Sequence, residues 1–174
     1  CRVIVIKKGM NIFIINWDHT TCAEWHCDKH VVKMPLETTQ MLSTVHRRYS
    51  SDGPYLPVHQ KHPCTLWAGQ TVENYRWLWK LGVCLCKEYT YRYDKTHGCE
   101  RILAMLRCPP VELTARGFTK PAQAMPDEYK HSDTIIAYQD YYINEKARIC
   151  SWRKRPTPPF MKEIMSSPSY RETG

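Results

Sequence analysis

Residues 27–40 read CDKHVVKMPLETTQ. Val31, Met34, Thr38 and Met41 recur at three- and four-residue spacing, and Leu42 and Val45 continue the pattern. The stretch therefore predicts an amphipathic helix with one face in a core. His30, Lys33, Glu37 and Gln40 keep the same period and share a second face, about 100° round from the first. A carboxylate at the edge of a core loses hydration, which raises its pKa and suits it to proton transfer. The plain reading is a solvated flank. His, Lys and Glu together beside Pro35 favour the wall of a site. Pro35 lacks an amide hydrogen and crowds the preceding turn, so a kink or break is expected between Val31 and Pro35.

The helix is expected to run from about Thr21 to about Arg48, with Thr21 and Glu24 spaced as a capping box. Upstream, Asn11 to Trp17 has no helical period and reads as a short extended segment. Met10 opens MNIFIINWD and reads as a chain start, which makes residues 1–9 an extension. Downstream, the Gly- and Pro-rich stretch from Ser50 to Pro63 reads as a loop. A second helix is expected from Cys64 to about Tyr93, where Thr71, Tyr75, Leu78, Gly82, Leu85 and Tyr89 form a stripe. A short helix follows over Glu100 to Arg107. Residues 109–130 have three proline interruptions and no period, and read as an ordered irregular loop. The last helix starts after Ser132-Asp133 and carries Ile135, Tyr138, Tyr142, Ile149 and Trp152. Arg153, Lys154 and Arg155 end it, as cations suit a helix C-terminus. The expected fold is mainly α: a single-domain helical bundle over residues 10–155, with a short N-terminal extended segment, a long ordered loop before the last helix, and a loose tail over 156–174.

Composition agrees with one domain. A chain of 174 residues, 43% apolar, can bury a core without staples. No apolar run approaches the ~20 residues that cross a bilayer, so no membrane contact is expected. Nine cysteines are scattered without a CxxC pair, which argues against a zinc ribbon or thioredoxin site and for reduced thiols in the cytosol. The net charge of +8 favours an anionic partner. Nucleic acid leads, because basic and aromatic residues interleave along the second helix. Arg76, Trp77, Trp79 and Lys80, then Lys87, Tyr91, Arg92 and Tyr93, are the candidates there. Lys29, Lys33, His59, His62, Arg153, Lys154 and Arg155 are further candidate phosphate contacts.

Histidines raise a metal reading. His26 and His30 are spaced i, i+4, and His59 and His62 form an H-x-x-H on a loop. Neither pair has the glutamate of H-E-x-x-H, and metal stays the minor alternative.

The motifs CDKHVVKM, HPCTLW, ENYRWL, EYTYRY, QAMPDEYK and YYINEKA resemble a group of small, uncharacterised phage and bacterial proteins. More distantly, Asp28, His30 and Glu37 resemble the pyrimidine-dimer DNA glycosylase and abasic-site lyase family of the endonuclease V type. In that family a helix carries Asp-x-His with a catalytic Glu nine residues after the Asp. His62 and the helix from Trp67 to Tyr89 are similar to the family's later His and second long helix. The flanking basic residues of that family are Leu36 and Gln40 here, with Lys29 and Lys33 the nearest cations.

The resemblance implies a nucleophilic α-amine on Met10, or on Asn11 after methionine removal. Glu37 is implied as the group that stabilises the sugar cation and moves protons, and His30 as its orienting partner. It implies damaged or distorted duplex DNA as partner, a monomer, and no metal or cofactor. Two alternatives stand beside it. One is a non-catalytic phage nucleic-acid-binding or host-interaction protein. The other is a metal- or nucleotide-dependent enzyme using His26, His30, His59 and His62, with Gln123, Asp127 and Glu128 facing a cleft.

Overall fold

The computed structural model describes residues 10–50 and 52–162. The expected extension 1–9 and the later part of the expected tail, 163–174, lie outside them. From Met10 to Ile15 the chain is buried and extended, with no strand beside it among the described residues. Its polar groups therefore find side chains instead of a ladder. The Asn11 Oδ1 accepts the Ile12 N–H at 2.8 Å, the Cys22 thiol donates to the Phe13 carbonyl at 3.3 Å, and the Gln139 amide donates to the Ile15 carbonyl at 3.0 Å.

The expected first helix is two helices, α1 (His19–Trp25) and α2 (Asp28–Tyr49). Asp18, not Thr21, caps α1: its carboxylate accepts the Thr21 N–H at 2.9 Å and the Thr21 O–H at 2.8 Å. The break falls at His26 and Cys27, both extended, and not at Pro35. Its cause is long-range. The Cys27 N–H donates to the Tyr142 hydroxyl at 2.9 Å and the Asp28 N–H to the Ser151 carbonyl at 2.8 Å, so the first orphan donors of α2 have acceptors over a hundred residues away. Helix α2 runs unbroken through Pro35. In the next turn the Thr39 hydroxyl donates to the carbonyls of Pro35 and Leu36 at 2.9 and 2.8 Å.

The expected second helix is also divided, into α3 (Pro63–Ala68) and α4 (Val72–Tyr93). Thr71 caps α4 by accepting the Asn74 N–H at 3.1 Å. Gly82 sets how closely α4 crosses α2, since a Cβ there would lie 2.8 Å from Thr38 Cγ2. The α4 stripe predicted from Thr71 to Leu85 is buried, and Tyr89 is half-buried. Helix α5 (Glu100–Met105) packs on α4.

The loop before the last helix is ordered, as its prolines and lack of period suggested. Asn74 holds Thr119 with two hydrogen bonds of 2.7 and 2.9 Å, and the Trp67 indole donates to the Thr119 carbonyl at 3.1 Å. Asn11 Nδ2 donates to the Ala124 carbonyl at 2.9 Å. Helix α6 (Thr134–Tyr141), capped by Asp133, is shorter than expected. It passes into a π turn over Tyr142–Lys146 and a 3-10 turn over Ala147–Ile149. Arg153 to Arg155 thus lie beyond any helix, with Lys154 at φ 61°. The segment 156–162, expected to be loose, is packed: Pro158 and Met161 are buried, and Phe160 sits 5.5 Å from Trp25. Among the described residues no helix is long and apolar enough to cross a membrane.

Candidate functional site

Glu37 is 7% exposed, on the α2 face turned toward the extended N-terminal segment. Burial pushes its pKa up, and the Lys33 ammonium, the His30 ring and the Asn11 backbone amide oppose that rise without cancelling it. Those three opposing groups also locate the carboxylate. They bring Glu37, His30, Lys33 and Asn11 of the sequence reading into one neighbourhood. Lys33 reaches Glu37 Oε2 at 3.4 Å from an exposed position. That oxygen is buried and, among the described residues, accepts no hydrogen bond, so the pair is an ion pair by distance and not a closed hydrogen bond. Cys64 of α3 lies on the far side, with its thiol 4.0 Å from the Asn11 Oδ1. Burial raises that thiol to about 12, which keeps it neutral.

His30 is buried and stacks parallel on Phe13, with ring centroids 4.4 Å apart. Its Nδ1 is 2.8 Å from the Tyr142 hydroxyl, the same oxygen that accepts the Cys27 amide. Tyr142 was legible only as a core residue of the last helix. The π turn that begins there turns its hydroxyl to His30, and no local pattern signals a π turn.

Met10 and Asn11 are both buried beside this cluster. The Asn11 side chain is held on three sides, by Ala124, Tyr138 and its own following amide. His62 is near but occupied: its Nδ1 accepts the Cys64 N–H at 3.1 Å as the cap of α3. His59 is exposed at φ 45°, and Lys29 is exposed.

Several expected nucleic-acid contacts have other partners. Arg92 is fully buried and cannot reach a phosphate. Its guanidinium binds Asp28 at 3.0 Å, Glu88 at 2.8 Å and the Glu24 carbonyl at 2.8 Å. Asp28, half of the Asp-x-His pattern, is thereby structural, and it also accepts the Ser151 hydroxyl and the Arg153 N–H. Arg155 grips Glu88 with two bonds of 3.0 and 3.1 Å, and Lys154 pairs with Asp94 at 2.9 Å. Tyr91 and Tyr93, expected to stack on bases, lie instead against Arg155 and Arg153 at 4.1 and 5.4 Å. Trp77 packs edge-on among Trp17 and Trp67, with Phe118 tilted beside it. Arg76 is exposed and, among the described residues, makes no such bond.

The metal alternative loses its geometry. His26 is buried with Nδ1 2.6 Å from the Cys22 carbonyl, and burial lowers its pKa to about 4. Gln123 braces the loop at His131, and Asp127 pairs with Lys130 on the surface. Among the described residues no three His, Cys, Asp or Glu side chains are grouped to hold a metal ion. Among the described residues all eight cysteines are free thiols.

No protein-family model, curated protein or solved structure matches this chain.

Proposed function

We propose that the chain is a DNA-acting base-excision enzyme that uses an N-terminal amine with Glu37. One observation carries this reading: Glu37 is buried against the Asn11 backbone amide while one carboxylate oxygen accepts no hydrogen bond. A buried carboxylate left half-satisfied at the start of an extended segment is costly to keep for packing alone. It suits a group that must meet transient positive charge.

In a chain beginning at Met10, or at Asn11 after methionine removal, the α-amine stands where that amide region faces Glu37. An α-amine of pKa about 8 is partly neutral at pH 7. Its lone pair attacks C1′ of a damaged nucleotide as the glycosidic bond breaks and the base leaves with the bonding pair; loss of the amine proton and opening of the C1′–O4′ bond then give the Schiff base that borohydride reduces. Glu37 stabilises the sugar cation and shuttles the amine proton. His30, clamped between Phe13 and Tyr142, fixes the polar wall and is a positioning residue.

Borohydride trapping on duplex DNA with an abasic site tests this. A chain starting at Met10 forms a covalent adduct, and Glu37→Gln lowers its yield by at least ~100-fold with the fold retained. No adduct, with Glu37→Gln indistinguishable from the parent, leaves a non-catalytic nucleic-acid-binding protein.

A further inference from the structure

Some cations of the described residues have fixed partners. Arg92 and Arg155 hold carboxylates, Arg47 binds the carbonyls of Gly53 and Tyr55, and Lys154 and Lys130 have acidic partners. Three others are gathered in one place. Arg76, Lys80 and Arg107 line a single open groove of about 570 Å³ between α4, the end of α5 and residues 107–113. All three are exposed, and no hydrogen bond or ion pair engages any of them among the described residues.

The groove's other lining residues are Val72, Trp79, Cys108, Pro109, Pro110, Val111 and Leu113, so no carboxylate faces the three cations. Arg76 and Lys80 are i, i+4 on α4 and lie side by side. The wall opposite is stiffened by Pro109-Pro110. Trp79 forms part of the floor, and its indole N–H is fixed on the Leu103 carbonyl at 2.7 Å. Unpaired like charges held together in a fixed trough repel one another, and only an anion relieves that cost. A neighbouring hollow shares Trp79 and Arg107 but contains Glu100, which confines the positive track to the α4 side. None of these residues belongs to the Glu37 cluster.

We propose that this groove is a second nucleic-acid contact, in which Arg76, Lys80 and Arg107 follow the phosphodiester backbone at a distance from Glu37. The inference shares the nucleic-acid partner of the proposed function but needs none of its chemistry. A run of at least three cations suits a polyanion better than one phosphate, and Trp79 offers apolar surface to sugar instead of a hydrogen-bond donor.

The test is fluorescence anisotropy of the full chain with labelled duplex DNA, between roughly 50 and 200 mM salt. Each phosphate contact contributes about 0.9 to the slope of log affinity against log salt. The triple variant R76E/K80E/R107E should flatten that slope by about 2 to 3 and weaken binding at low salt by at least ~10-fold. The alanine triple should flatten it by a similar amount without added repulsion. A control triple, K95E/R148E/K162E, reverses three exposed cations outside the groove and should change the slope by less than about 1.

Unchanged slope and affinity in the groove variants overturn the proposal, and so does an equal loss in both reversal triples. Poly-glutamate competing as well per charge as DNA, or inorganic phosphate competing as well per phosphate, also overturns it. Loss of trapping in Glu37→Gln bears on Glu37, whereas loss of the salt slope in the groove triples bears on the groove.

Discussion

Glu88 on α4 and Glu37 on α2 are buried to nearly the same depth, at 5% and 7% exposure, yet their surroundings push them in opposite directions. Burial raises both. At Glu88 the hydrogen bonds and charges of Arg155 and Arg92 outweigh burial and hold the carboxyl below its ordinary range. At Glu37 one exposed lysine, the His30 ring and a backbone amide stand against burial, and burial wins. The first carboxylate is saturated by two guanidinium groups and ties residues 150–155 to the bundle. The second has one oxygen that meets only the Lys33 ammonium, at 3.4 Å, and accepts no hydrogen bond among the described residues. Equal burial therefore leaves the direction of a carboxyl's shift open; the donors that converge on it decide it.

The largest way to break this contrast is at Arg92. Arg92→Met leaves Glu88 short of one partner and Asp28 without its guanidinium, and should cost about 3 to 5 kcal/mol in urea unfolding. A loss below about 1 kcal/mol would mean that the network contributes little and that Glu88 is no reference for Glu37.

The pH dependence of stability sharpens the same contrast by sign. Glu88 has a lowered folded pKa, so its contribution is present above its ordinary 4.5 and is lost as pH falls. Glu37 has a raised folded pKa, so its contribution is complete below 4.5 and is lost as pH rises. Over about pH 3 to 6, the stability difference between the parent and Glu88→Gln should grow with pH, whereas that between the parent and Glu37→Gln should shrink. Slopes of the same sign would remove the distinction. The smallest effect belongs to Lys33, whose side chain is half-exposed. Lys33→Met should change stability by no more than about 0.5 kcal/mol in the same unfolding experiment.

The period of residues 27–45 placed α2 and its two faces correctly, because burial of a helix stripe is a local rule. So was the α4 core from Thr71 to Leu85. What the sequence hid was set by contacts across the chain. The break at His26 and Cys27 depends on Tyr142 and Ser151, and Pro35 drew attention to the wrong turn. Glu88 and Arg92 are spaced i, i+4 and offered a visible pairing signal, but the aromatic-basic alternation around them read more simply as a nucleic-acid face. Arg107, outside that alternation, went unmarked. It lines a groove between α4 and residues 107–113, which lie far from Arg76 and Lys80 in sequence.

Tyr142 has a consequence for the order in which the molecule is made. Its hydroxyl touches Cys27 and His30, so the polar wall on α2 gets its last support from a residue synthesised 112 positions after His30. During translation the Glu37 region emerges early and waits for the π turn. That wall is therefore completed only when nearly all of the bundle has left the ribosome.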